Sequence, residues 1–189
     1  MGAGPGGGGV FQTSLGRLIL GDAREVLKSL PSNSVDAVIT DPPWGVGFDE
    51  YDDFNVFLEV LPELHRVLKP NSWLVFFVGV KNILDLQPVK KFFEFRWMMC
   101  CLYPGITTTR NALGGYASYT PVMVFAKGSP KVHMRHRDII QGEELPFAVD
   151  GGPNEPQFKP TYAVTILLSM FTREGDLVLD PFAGYGSVP

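Results

Sequence analysis

The stretch Val35-Asp36-Ala37-Val38-Ile39-Thr40-Asp41-Pro42-Pro43-Trp44 decides how the rest of the chain is read. Val35 to Thr40 is short, apolar and rich in β-branched side chains, which predicts a strand. Two prolines then fix φ and remove backbone donors, so the strand delivers Asp41 to Trp44 as a rigid loop at its C-terminal end. Gly45 and Gly47 follow. Working outward, Leu15 to Leu20 reads as a short buried strand ending at Gly21-Asp22, and Ala23 to Leu30 as a helix closed by Pro31. On the other side, Phe57, Leu58, Leu61, Leu64 and Leu68 share one face of a helix over Phe54 to Leu68, ended by Lys69-Pro70-Asn71. Trp73 to Val80 is a fully apolar strand of the kind found inside a covered parallel sheet.

Helices alternating with apolar strands predict a doubly wound, mostly parallel α/β sheet, with its site at the C-terminal ends of strands beside a topological switch point. Ile83 to Phe93 reads as a helix interrupted by Pro88, and Arg96 to Leu102 and Pro121 to Lys127 as two more strands. Pro104 to Thr120 between them is a polar loop. Toward the end, Thr161 to Phe171 has a helical pattern, Gly175-Asp176 is a turn, and Leu177 to Leu179 is a strand running into a glycine loop. The chain is thus expected to hold one domain in four parts. Residues 1–14 form a flexible glycine-rich tail, 15–127 the larger part of the domain, 128–158 a small irregular insertion, and 159–189 its closing part.

The 189 residues, 45% of them hydrophobic, suit one globular domain. No apolar stretch is long enough to span a membrane, and no export signal is present. Cys100 and Cys101 are neighbours without a second pair, which fits a reducing cytoplasm and argues against a zinc site or a disulfide framework. A net charge of -4 confines any nucleic-acid surface to a local basic patch. The concentrated basic stretch is Lys127, Lys131, Arg135 and Arg137 with His133 and His136 interleaved. Its alternative reading is a solvated turn. The two histidines lack companions for a metal site, so no metal is expected. Phe92, Phe93, Phe95 and Trp97 read as core or interface.

The second informative segment is Leu179-Asp180-Pro181-Phe182-Ala183-Gly184-Tyr185-Gly186-Ser187, whose glycines allow a cofactor to approach the backbone closely. Gly184 and Gly186 match two glycines of a dinucleotide fingerprint, but Pro189 stands at the third, so a nicotinamide enzyme fits poorly. Taken with Asp41-Pro42-Pro43-Trp44, the loop resembles that of S-adenosylmethionine-dependent DNA amino-methyltransferases, the N6-adenine and N4-cytosine family. With the tetrapeptide first and the glycine loop last, the order is similar to the permuted, β-type class. Gly21-Asp22, Arg66-Val67-Leu68-Lys69-Pro70, Pro121 to Gly128, Lys159-Pro160-Thr161 and Gly175-Asp176 look like further blocks of the same family.

The resemblance implies a permuted, Rossmann-like methyltransferase fold, S-adenosylmethionine as cofactor and DNA as partner. It makes Asp41, Pro42, Pro43 and Trp44 the catalytic candidates. The cofactor candidates are Asp22, Lys159, Pro160, Thr161, Asp180, Pro181, Phe182, Ala183, Gly184, Gly186 and Ser187. The stretch from 128 to 158 corresponds to the usual place of target recognition, with Lys131, Arg135 and Arg137 as nucleic-acid contacts and Arg110 in the preceding loop. Asp at the first position of the tetrapeptide is similar to adenine-N6 members; cytosine-N4 members more often carry Ser. A homo-oligomer and a restriction partner are both open.

The chemistry fits these residue types. An exocyclic amine is a poor nucleophile because its lone pair is delocalised into the ring. A carboxylate and a neighbouring carbonyl held by prolines can accept both N–H groups and stabilise the positive charge that builds on nitrogen. Such a base has to be flipped out of a duplex, and Trp44 offers a face on which to stack it. Family members continue past the glycine loop with a helix and an acidic-ended strand, neither of which follows Pro189, so a truncated form is expected. N4-cytosine transfer, transfer to adenine in RNA, and an inactive nucleic-acid-binding remnant are the alternatives.

Overall fold

The strand that carries the tetrapeptide lies inside the sheet, next to one edge. A computed structural model describes residues 9–45, 52–102, 111–142 and 159–184. In chain order the elements begin with β1 (Val10–Gln12), β2 (Arg17–Ile19), α1 (Ala23–Ser29), β3 (Val35–Thr40), α2 (Phe54–Val67) and β4 (Leu68–Phe77). A 3₁₀ helix (Val80–Lys91), β5 (Glu94–Leu102), β6 (Tyr119–Lys127), β7 (Ile139–Ile140), α3 (Thr161–Phe171) and β8 (Val178–Leu179) complete them. Six strands form one sheet in the order β7-β5-β6-β4-β3-β8. The β3–β4, β3–β8 and β5–β7 pairings are parallel, whereas β6 is antiparallel to both its neighbours. Five strands therefore run one way and β6 alone runs against them, so the sheet is mostly parallel, as expected.

Both faces are covered, which is why β3 is apolar apart from Asp36 and Thr40, and β4 is apolar from Trp73 to Phe77. Val38, Leu74 and Phe76 pack under Leu27 of α1, Phe57, Leu61 and Leu64 of α2, and Leu86 and Val89 of the 3₁₀ helix. Ile39, Val75 and Phe77 face the other way, onto Ala163, Val164 and Leu167 of α3. Truncating one such fully buried side chain, Phe57 for instance, costs about 3–5 kcal/mol. The crossover before β4 lies on one face and the helix before β8 on the other, so the switch point falls at β3 and β8. Charged side chains fix the far ends of these strands: Asp36 receives Lys69 at 2.7 Å and the Leu177 amide at 2.9 Å.

Several expectations need correction. Leu15 to Leu20 is not a buried strand of the sheet; β2 pairs only with β1, in a hairpin that leaves Leu15 97% and Leu18 60% exposed. Residues 10–12 of the expected tail therefore have regular structure, and residues 1–8 lie outside the described residues. The helix expected over Ile83 to Phe93 is a 3₁₀ helix that starts at Val80, with Pro88, which lacks an amide proton, inside it. The stretch from 128 to 158 is not wholly an insertion, because β-branched Ile139 and Ile140 pair with Cys100 and Cys101 as an edge strand; residues 143–158 lie outside the described residues. Among the described residues, no helix is long and apolar enough to cross a membrane.

Candidate active site

The tetrapeptide leaves the sheet at the C-terminal end of β3, level with the end of β4, since Thr40 pairs with Phe76. Pro42 is buried, and Asp41, Pro43 and Trp44 are half-buried. The loop is pinned beyond its prolines. One oxygen of Asp52 accepts both the Trp44 and the Gly45 amide at 2.8 Å, and the Lys81 ammonium donates to the Gly45 carbonyl. Gly45, at φ +65°, takes the left-handed conformation that glycine adopts freely. The Trp44 ring rests on Gly79, where an added Cβ would lie 3.3 Å from the indole.

Asp41 has two unlike oxygens. Oδ2 receives the Lys159 ammonium at 2.6 Å, in a pair whose lysine side chain is only 9% exposed. Oδ1 is buried and has no hydrogen-bond partner among the described residues. The same ammonium lies over the Trp44 ring, 4.6 Å from its centroid, and 5.5 Å from that of Phe77. Lys159 thus reaches the tetrapeptide itself, a contact that its expected place in a cofactor cavity did not include.

The second carboxylate stands at the end of the adjacent strand, where Val38 pairs with Leu179. Asp180 Oδ1 accepts the Thr40 hydroxyl at 2.5 Å and the Phe182 amide at 2.9 Å. Burial pushes the Asp180 carboxyl up to about 6, despite these two bonds; the charge of Asp41 adds to the rise. Phe182 packs against Phe57, and Gly184 turns the loop at φ +51°. Asp41, Lys159, Pro160 and the Asp180 to Gly184 segment therefore converge on one end of the sheet. Gly186 and Ser187 lie outside the described residues.

The other candidates are less concentrated. Asp22 is the N-cap of α1, accepting the Arg24 amide at 2.8 Å, and the Arg24 guanidinium 2.6 Å away holds its carboxyl below the usual range. Thr161 opens α3 with an exposed side chain. Lys127 serves structure, donating to the His65 and Leu68 carbonyls at the end of α2, where a cation complements the helix dipole. Lys131, Arg135 and Arg137 are exposed. The Lys131 carbonyl accepts from Trp73, which pairs with Ala37, so this stretch begins about 13 Å before Asp41 along the strand direction. Arg110 lies outside the described residues.

Three contributors were missed from sequence. Asp52, Lys81 and Asn82 carry no motif; the loop amides that Asp52 satisfies are the one signal that could have found it, since strand-to-helix loops need such acceptors. Asn82 presents a buried unpartnered Oδ1 and, with Trp44, Gly45, Phe54, Lys81 and Pro88, lines an open cleft of about 500 Å³ beside the tetrapeptide.

Comparison with known proteins bears on the fold. Residues 16–103 match a family model described as RMKL-like, methyltransferase domain. The chain is 29% identical to the type II methyltransferase M.HpaI of Haemophilus parainfluenzae, over 91% of its own length and 65% of that protein. It is 27% identical to the DNA adenine methyltransferase YhdJ of Escherichia coli strain K12, over 88% and 71%. Its fold superposes on the M1.HpyAVI–SAM complex with a TM-score of 0.62, at 22% identity over 88% of this chain and 81% of that one. It also superposes on the cytosine-N4-specific PvuII DNA methyltransferase with a TM-score of 0.67, at 18% identity over 88% and 74%. The chain has the Rossmann-like fold of S-adenosylmethionine-dependent DNA methyltransferases. In that fold the cofactor sits in a crevice at the strand ends, and the residues present here fit a cationic methyl donor. A carboxylate and two aromatic faces already hold one ammonium, and a glycine-turned loop follows the adjacent strand.

Proposed function

We propose that this chain transfers a methyl group from S-adenosylmethionine to the exocyclic N6 of adenine in DNA, as a permuted, β-type enzyme, on a base flipped out of the duplex. The observation that carries the reading is Asp41 Oδ1, a buried acceptor without a hydrogen-bond partner among the described residues, at the end of β3 beside a carbonyl held by prolines and the Trp44 ring. Bound S-adenosylmethionine supplies an electrophilic methyl group on a cationic sulfur. Asp41 accepts an N–H of the target amine and orients its lone pair away from the ring, and the carbonyl of the adjacent proline takes the other N–H. Trp44 stacks the base, worth about 1–3 kcal/mol. As the N–C bond forms, positive charge gathers on nitrogen beside the carboxylate, and Asp41 receives the proton that leaves. Asp180 to Gly184, Gly186 and Ser187, with Lys159 to Thr161 and Asp22, border the cofactor. Lys131, Arg135, Arg137 and Arg110 contact phosphates. A reducing cytoplasm suits Cys100 and Cys101, which form no disulfide among the described residues.

Asp at the first tetrapeptide position and the likeness to YhdJ favour adenine, whereas the PvuII fold match keeps N4-cytosine transfer as a second reading. The test is transfer of a labelled methyl group to unmethylated DNA and to RNA, followed by nucleoside analysis. Label in N6-methyladenine of DNA is the expected result. Label in N4-methylcytosine or in RNA would redirect the reading to those substrates, and no label in any would leave the inactive remnant.

A further inference from the structure

Lys159 is placed where a reaction of this kind has least room for a lysine. Its ammonium touches Asp41 at 2.6 Å and lies 4.6 Å and 5.5 Å from the centres of the Trp44 and Phe77 rings. A carboxylate with two aromatic faces is a binding site for an organic cation. The lysine side chain is 9% exposed and that of Asp41 26%, so water screens the pair only in part and a positive partner stabilises the Asp41 carboxylate. Methyl transfer brings its own positive centres to this point, the sulfonium and then the amine nitrogen, and like charges this close in a poorly screened site repel. The Trp44 ring is also the surface on which the base would stack, and a Cβ added at Gly79 would lie 3.3 Å from it.

We propose that Lys159 is the resident counter-ion of Asp41 in the ligand-free chain and is exchanged for the cationic methyl donor on binding, which opens Asp41 and Trp44 to the base. This rests on the methyltransferase reading. The exchange calls for rotation of a flexible side chain, and the backbone that follows Lys159 is tied down. Pro160 caps α3, its carbonyl accepts the Ala163 amide at 2.9 Å, and the Tyr162 hydroxyl bonds the Leu102 carbonyl at 2.7 Å. Two consequences follow. The donor binds before the base, and once the sulfur is neutral after transfer, Lys159 returns to Asp41 and disfavours retention of the methylated base. Lys159 is thus a positioning residue that acts through Asp41.

Calorimetry at pH 8 tests this with two ligands. One is sinefungin, an analogue in which an ammonium stands in for the sulfonium methyl. The other is S-adenosylhomocysteine, which is neutral at sulfur. In Lys159→Met the uncompensated Asp41 should raise the preference for sinefungin over S-adenosylhomocysteine at least fivefold relative to the unaltered chain. Lys159→Arg should keep the preference within twofold. Binding of both ligands to Lys159→Met with an unmoved ratio would overturn the exchange while leaving the methyl-donor reading standing. Binding of neither ligand to the unaltered chain would overturn both. Should Lys159→Met fail to fold, Asp41→Asn decides: the exchange requires the preference for the cation to fall, and an unchanged preference sinks it.

Discussion

Asp41 and Asp180 end neighbouring parallel strands, and the protein treats them oppositely. Asp41 meets an ammonium; Asp180 meets a hydroxyl and an amide, with no cation among its hydrogen-bond partners. Neutral donors lower the cost of a buried carboxylate less than a charged one does, so Asp180 is pushed up to about 6. Environment, not residue type, separates a carboxylate paired with a cation from one that joins two strands.

The most severe way to break this contrast is Asp41→Ala. Methyl transfer is expected to fall by roughly 10²–10³-fold or more, while affinity for S-adenosylhomocysteine, which is neutral at sulfur, stays within a few-fold by calorimetry. Equal loss of both would make Asp41 structural. Asp180→Asn should act in the other direction. A carboxyl raised from 3.8 to about 6 binds more protons folded than unfolded, so native stability is greatest below the unfolded value and declines as pH rises toward 6. Asparagine removes that decline. The variant should gain stability over the unaltered chain between pH 4 and pH 7 by about 1–3 kcal/mol in urea titrations; a pH-independent difference would contradict the assignment.

Thr40→Val leaves Asp180 without its side-chain donor, and a loss of about 1–2 kcal/mol is expected, larger at pH 7 than at pH 5. The smallest effect concerns a third acid, Asp22. As a helix cap its side chain is replaceable: Asp22→Ser should keep stability within about 0.5 kcal/mol, whereas Asp22→Ala should cost about 1 kcal/mol in the same titration. If Asp22→Ser abolishes donor binding while remaining folded, the acid serves the cofactor as well as the helix.

The sheet was legible because Ala37 to Ile39 and Trp73 to Phe77 are apolar on both faces, a pattern that admits few structures other than a covered sheet. The tetrapeptide was legible because prolines act locally. What could not be read were pairings between distant segments. Lys159 meets Asp41, Thr40 meets Asp180 and Lys127 reaches the end of α2 through tertiary contacts that leave no mark on local periodicity. Leu15 to Leu20 misled for a related reason: its apolar content suits a buried strand, but its pairing partner lies in the short hairpin outside the sheet. The reversal of β6 follows from its hairpin-like pairing with β5 across a polar loop, where strand number alone gave no direction.

The bond between Thr40 and Asp180 also bears on how the molecule comes to exist. It joins residues 140 apart, and β3 has β8 as its only neighbour on that side. Closing so long a loop has to precede any gain from the contact, so pairing of this kind is slow. On a ribosome, where the chain emerges from its N-terminus, β3 waits with one edge uncovered until β8 arrives. An edge of that sort is sticky. Arrival of β8 therefore both completes the pair of carboxylates and covers that edge of β3.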